Sequence, residues 1–283
     1  MERIYCSQAA QGETLSGTAD QVDVWLMLEY RPSWGARVVD DNDLSEDVRR
    51  WLSEQVGRLR DRGLVVRPQF IRQPEIDRSD TRLLLGFDDT LTMVSCEGYR
   101  DLLDLHLCDV LDEGATQVLT EPNYFVCTNG QRDLCCARFG LPAYAALREI
   151  AGERAWQTTH LGGHRFAPNV LVLPQGVMYG RVTAESVDTF ASLIEGGELA
   201  FDQLRGRTRY PRAVQAAEAA IGQNGLRLLH VQQGKRTQRV TFAARDGRYR
   251  VVVSGRDRAD VLASCGDVEH KDVISYESER VED

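Results

Sequence analysis

Apolar residues along this chain recur at two periods, and the switches between them lay out the elements. Residues 22–30 (VDVWLMLEY) are β-rich and nearly all apolar, the pattern of a buried strand, and the turn residues of Arg31-Pro-Ser-Trp-Gly end it. Over 44–62 the spacing of Leu44, Val48, Trp51, Leu52, Val56 and Leu59 predicts a helix, with Asp43 or Ser45 as its cap and Gly63 as its stop. Strands are expected at 64–71, 82–87 and 91–96, and a helix at 98–111. The order β-α-β-β-β-α then returns. A strand at 121–127 precedes a helix at 134–151, with a bend expected at Pro142. Strands at 155–159, 169–173 and 177–182 follow, the last two joined by the turn Pro174-Gln-Gly176, and a helix at 184–195 stops at Gly196-Gly197. A repeated order of elements is a stronger fold signal than either copy alone. It makes the chain α/β, with units at 1–117 and 118–204.

Residues 205–283 read as a third, small α+β unit. An alanine-rich helix at 211–222 is followed by alternating strands at 226–232, 236–243 and 249–253, with a hairpin turn at Arg245-Asp-Gly247-Arg. A short helix at 258–263 and a strand at 272–276 complete it. Residues 1–21 are polar and read as an irregular lead-in, with Cys6 a free thiol or a neighbour of the metal site described next.

The two copies differ where chemistry would sit. Cys127-Thr-Asn-Gly-Gln-Arg-Asp-Leu-Cys135-Cys136 joins the first strand of the second copy to its helix, and His160-Leu-Gly-Gly-His164-Arg-Phe-Ala-Pro-Asn169 follows its next strand. The first copy has no cysteine or histidine at the matching place, 29–34. Cysteine and histidine are the ligands of iron, zinc and copper, so two thiols and two imidazoles in one window point to a metal site. Two adjacent glycines between the histidines cost a helix about 1 kcal/mol each, which places the histidines on a tight loop. The Glu of His-Glu-x-x-His is absent as well. Arg132, Asp133, Arg165 and Asn169 are candidates to orient the ligands. From the residues alone the second thiolate is Cys135 or Cys136, and the metal is zinc or iron. A thiol–disulfide oxidoreductase is disfavoured, because no Cys-x-x-Cys is present. Cys96, Cys108, Cys265, His106 and His230 fall in ordinary structural positions.

These motifs, C-T-N-G-Q-R-D-L-C-C-A, then W-x-x-x-H-L-G-G-H-R-F-A-P-N-V, then L-P-x-G-x-x-Y-G-R, resemble the sucrase/ferredoxin-like family. The resemblance is firmest over 118–182, extends weakly upstream through Cys6-Ser and Gly17-Thr-Ala, and departs from the family at Pro168, where glycine is common. It implies thioredoxin-like ferredoxin domains, here two in tandem. It also implies a [2Fe-2S] cluster held by Cys127, Cys136, His160 and His164, through a Cys-x8-Cys spacing that selects Cys136. The function implied is one-electron transfer, possible proton coupling at the imidazoles included, to an unidentified redox partner protein. A zinc-stabilised Cys2His2 interaction protein without redox activity is the alternative. No pair of carboxylates suited to glycoside hydrolysis stands out, so the sucrase half of the label carries no expectation here.

Composition narrows the classes. With 283 residues and 42% hydrophobic content the chain can build several cores. Its apolar runs are strand-sized, far short of the roughly 20 residues of a membrane helix. An odd count of seven cysteines without a signal-like start argues for thiols or ligands rather than a disulfide framework, and for a cytoplasmic protein. The net charge of −9 is uneven: 1–204 is acidic, 205–258 basic with 13 Lys/Arg against 3 Asp/Glu, and the tail acidic again. The acidic front makes nucleic acid an unlikely partner. The basic segment is either a solvated face balanced by its neighbours or a dock for an acidic partner.

Overall fold

The computed structural model describes residues 5–113, 117–266 and 270–281. A one-turn helix, α1 (Cys6–Ala9), lies in the stretch expected to be irregular, and both Cys6 and Ser7 are buried. Strand β1 (Val24–Glu29) is buried at every position, and its side chains alternate. Val24, Leu26 and Leu28 face one core, Trp25 and Met27 another. The helix α2 (Glu46–Asp61) starts where Ser45 accepts a hydrogen bond from the Val48 amide, and it buries Trp51, Leu52, Val56 and Leu59 on the first of those cores. Strands β2 (Val66–Arg72), β3 (Thr81–Phe87) and β4 (Thr90–Cys96) follow as expected. The helix expected over 98–111 is two pieces, a 3-10 helix Tyr99–Asp104 and α3 (Leu107–Glu113). The break falls at Leu105, whose extended backbone and carbonyl bond to the Trp51 indole interrupt the helix. A short strand, β5 (Gln117–Leu119), was not anticipated.

The second set consists of β6 (Asn123–Cys127), α4 (Leu134–Ala151), β7 (Ala155–Thr158), β8 (Val170–Leu173), β9 (Val177–Tyr179) and α5 (Val187–Glu195). Helix α4 runs unbroken through Pro142. A further unanticipated strand, β10 (Leu204–Arg207), pairs antiparallel with β9 and carries the chain past position 205.

The strands form one ten-stranded sheet in the order β10-β9-β8-β6-β7-β2-β1-β3-β4-β5. In each set the first strand pairs parallel with the second and antiparallel with the third, and the third pairs with the fourth. The sets meet at their equivalent strands, β2 and β7, through Ile71↔Thr158 and Arg72↔Gln157 in antiparallel register. The sheet curls so that the inner faces of the two sets share a core of Trp25, Met27, Leu84, Phe125, Trp156, Leu171 and Leu173. On the outer faces α2 covers the first set, while α4 and α5 cover the second.

Helix α6 (Arg212–Ile221) packs on a separate four-stranded meander: β11 (Arg227–Gln233), β12 (Thr237–Ala244), β13 (Gly247–Val261) and β14 (Lys271–Val281). The helix expected at 258–263 is absent, because β13 runs on to Val261. Arg256, Asp257 and Arg258 pair with Ser275, Ile274 and Val273 of β14. The local sequence suggested a short helix, and cross-strand pairing prevailed. Among the described residues no helix is long and apolar enough to cross a membrane.

Candidate metal centre

Strand β6 delivers Cys127 onto the common core at its last position, where the Cys127 amide donates to the Asn169 carbonyl at 3.0 Å. Asp133 caps α4 by accepting from the Cys135 amide at 2.9 Å. Successive helical residues diverge by about 100°, given 3.6 residues per turn. The two adjacent cysteines therefore serve different neighbourhoods. Cys136 turns toward Cys127 and His160, and Cys135 turns toward Cys6 and Cys265. The helix comes this close because residue 140 is glycine: a Cβ there would lie 2.2 Å from the Cys127 carbonyl oxygen.

His160 Nδ1 lies 3.9 Å from Cys127 Sγ and 3.8 Å from Cys136 Sγ, and the three ligand atoms fall within 4.8 Å of one another. His164 stands beside this trio, its ring centroid 4.9 Å from that of His160. Its Nε2 is 3.9 Å from Asp133 Oδ2, and its Nδ1 is buried with no hydrogen-bond partner. All four expected ligands are thus gathered at one end of β6 and β7, three in close reach and His164 one ring away.

The histidine loop is shaped from beneath by Arg205, which is fully enclosed. Its guanidinium donates to the Gly162 carbonyl (2.9 Å), Asn169 Oδ1 (2.9 Å), Thr18 Oγ1 (3.0 Å) and the Thr18 carbonyl (2.7 Å). Asn169 in turn donates to the Gly163 carbonyl at 2.9 Å. Gly163 has φ +67°, and a Cβ on it would meet an Arg205 nitrogen at 2.4 Å. The second glycine of His-Leu-Gly-Gly-His is therefore required both by its backbone and by the cation packed against it.

Electrostatics split the two thiols and leave His164 neutral. The Cys136 thiol donates to Cys127 and holds it well below the usual thiol range, while that same hydrogen bond, with burial and the Cys127 charge, raises Cys136. Burial, reinforced by the neighbouring His160, lowers His164 to about 4, so its imidazole is neutral at pH 7. Burial works against the Asp133 carboxylate, but the Cys265 and Cys135 amides, His164 and Ser264 outweigh it and keep it ionised. A buried neutral imidazole with an unpartnered Nδ1, beside one thiol held toward its thiolate and a second within reach, is a donor set that fits a thiophilic cation.

Of the other residues singled out in the sequence, Asn169 and Asp133 both brace the centre. Arg165 instead pairs with Glu13 at 3.1 Å and lies over Phe166. Arg132 borders a cleft of about 530 Å³ that also exposes His160, Arg37 and Arg67. Sequence reasoning missed Arg205 and Thr18, since nothing local marks an arginine for burial. The glycine that yields space to Arg205 was the available hint. It also took Cys265 for an ordinary structural cysteine, whereas Cys265 meets Cys6 and Cys135.

The Sucrase/ferredoxin-like family matches residues 15–206, a span that holds all four ligand candidates and Arg205. The chain belongs to this family. A similar protein, Altered inheritance of mitochondria protein 32 of Meyerozyma guilliermondii, is 30% identical over 101 residues. That match covers 32% of this chain and 36% of the relative, so the chain spans little more than a third of the relative's length. No solved structure matches.

Proposed function

We propose that this family member is an electron carrier whose [2Fe-2S] cluster is held by Cys127, Cys136, His160 and His164. The observation that carries the reading is the meeting of two thiols and two imidazoles in one enclosed site where His164 Nδ1 has no other partner. When bound, such a cluster accepts and returns one electron, at a potential raised by neutral imidazoles in place of thiolates. The chain's own residues do the rest. Asp133 and the first turn of α4 set the direction of Cys136, and Arg205 with Asn169 fixes the loop between the two histidines. The core around Trp156 and Phe125 keeps water from the sulfurs. The half-exposed side of His160, bordered by the Arg37, Arg67 and Arg132 cleft, is where an acidic redox partner would approach. With one ring nitrogen of each histidine free, transfer would be coupled to a proton at alkaline pH. In this reading the two β-α-β-β-β-α sets are thioredoxin-like units over 1–117 and 118–204, followed by a basic unit at 205–283, and only the second set holds the cofactor.

The second reading is a single zinc ion and no redox role. It is favoured by the compactness of Cys127, Cys136 and His160, whose ligand atoms lie within 4.8 Å, as a mononuclear site requires. Iron, zinc and acid-labile sulfide analysis of anaerobically purified protein separates the two. About two irons and two sulfides per chain, as the [2Fe-2S] formula requires, support the carrier. Zinc without sulfide at this centre removes it.

A further inference from the structure

At the first turn of α4 lies a second group of ligating side chains, of which only Asp133 also borders the centre just described. Cys6 of α1, Cys135 of α4 and Cys265 of the β13–β14 connection converge from sites far apart in the chain. Their sulfurs form a triangle, 3.5 Å from Cys6 to Cys135, 3.1 Å from Cys135 to Cys265 and 3.5 Å from Cys265 to Cys6. The Asp133 carboxylate closes the fourth side, with Oδ1 3.8 Å from Cys6 Sγ. We infer that these four residues form a second metal site, a Cys3Asp site for a single zinc-type ion.

Four observations carry this. In a tetrahedral zinc site with bonds of about 2.3 Å to sulfur, the sulfurs stand roughly 3.8 Å apart, so this triangle needs to open by about 0.3 Å on two sides and about 0.7 Å on the third. A polynuclear iron–sulfur cluster would spread its cysteine ligands much wider. A disulfide, at about 2.05 Å, would join two of the sulfurs and strand the third, although all three are nearly equidistant. The carboxylate is also aimed. The Cys135 amide donates to Oδ1, and the Cys265 amide and Ser264 Oγ donate to Oδ2 at 2.8 Å, three bonds on a group with about four lone-pair sites. Ser7 Oγ donates to Cys135 Sγ at 3.2 Å, an orienting bond to a ligand sulfur. Cys135 lies in the first turn of α4, whose N-terminus favours negative charge. Binding displaces the thiol protons to solvent, and the ion then fastens both ends of the chain to the helix that carries Cys136.

Metal binding by the full-length chain tests this without relying on the first centre. Reduced protein carrying Cys127→Ser and Cys136→Ser, titrated with Co2+, should take up one equivalent. The visible d–d absorption of tetrahedral cobalt and thiolate-to-cobalt charge transfer should appear. Adding Cys265→Ser or Cys6→Ser should abolish both signals, and Zn2+ should displace the cobalt. If the doubly substituted chain does not fold, zinc content of the otherwise unaltered protein gives the answer. Cys265→Ser should lower it by one ion per chain, whether the first centre holds iron or zinc. The inference is overturned if no cobalt is taken up by folded reduced protein, or if uptake survives both substitutions. It also fails if zinc content is indifferent to Cys265→Ser, or if peptide mapping of anaerobically isolated protein finds Cys135 in a disulfide. None of these outcomes touches the iron and sulfide content of the first centre, so the two readings fail separately.

Discussion

Two neighbouring residues, Cys135 and Cys136, show how much one peptide bond decides. They differ by one step of a helix, and that step sends Cys136 to the Cys127–His160 trio and Cys135 to Cys6 and Cys265. With the proposed cluster in place, Cys136→Ser is therefore expected to remove its visible absorption. Cys135→Ser should leave most of it in place, read by visible absorption on freshly purified protein; the reverse pattern would reassign the ligand. Arg205 is the second telling residue. Its removal strands the Gly162 and Thr18 carbonyls and Asn169 Oδ1 inside the protein. Arg205→Ala should cost roughly 3–5 kcal/mol in urea unfolding, typical of breaking a buried charged network. Loading of the first centre should fall with it, since Asn169 no longer holds Gly163. Loading as in the parent protein would show that the histidine loop keeps its shape unaided.

At the scale of elements, α4 matters most, because its first turn feeds both groups of sulfurs and its middle presses against the end of β6. Gly140→Ala would drive a methyl group into the Cys127 carbonyl oxygen. A cost of about 1–3 kcal/mol is expected, with weakened metal retention, and thermal unfolding together with metal content checks it. The strands and helices that build this site were legible in the sequence. The bounds of α4 match the expected 134–151, and β6 ends on Cys127, where the strand expected at 121–127 ends. What was not legible came from tertiary contacts. Strands β5 and β10 are short and gain order from β4 and β9, beside which they lie. Strand β13 continues past Ser254 through polar residues that only β14 renders strand-like. The cysteine triangle draws on both ends of the chain, and no local pattern announces such a meeting. The four ligand candidates of the first centre stood out in the sequence because each pair sits in one short motif.

Over the whole molecule, charge links the third unit to the first centre. Asp20 pairs with Arg67 of β2 at 2.8 Å and Arg212 of α6 at 2.7 Å, and it lies against Gly162. Burial pushes its carboxyl up, but Arg67 and Arg212 outweigh this and hold it below the usual 3.8. A folded-state value lowered in this way contributes stability above the unfolded-state value, and loses it as pH falls through the folded one. The parent protein should therefore lose thermal stability more steeply below about pH 4, where an unperturbed aspartate titrates, than Asp20→Asn does. At pH 7 that variant should be weaker by roughly 1 kcal/mol or less, because the side chain is partly solvated. Parallel pH profiles for the two would discount the link. The junction of β2 with β7 reaches further. Two like units joined antiparallel through equivalent strands, sharing a core across a curled sheet, have the arrangement of a two-fold dimer written into one polypeptide. The partner cannot dissociate, so one half is free to contribute nothing to the Cys127–His160 group while it supplies the missing wall for the other. Residues 118–204 expressed alone would bare the β7 edge and half a core, and should aggregate or pair with a second copy of themselves, which sedimentation would reveal. The unit that lends no side chain to the Cys127–His160 group is in that sense the permanent, tethered subunit of the one that carries it.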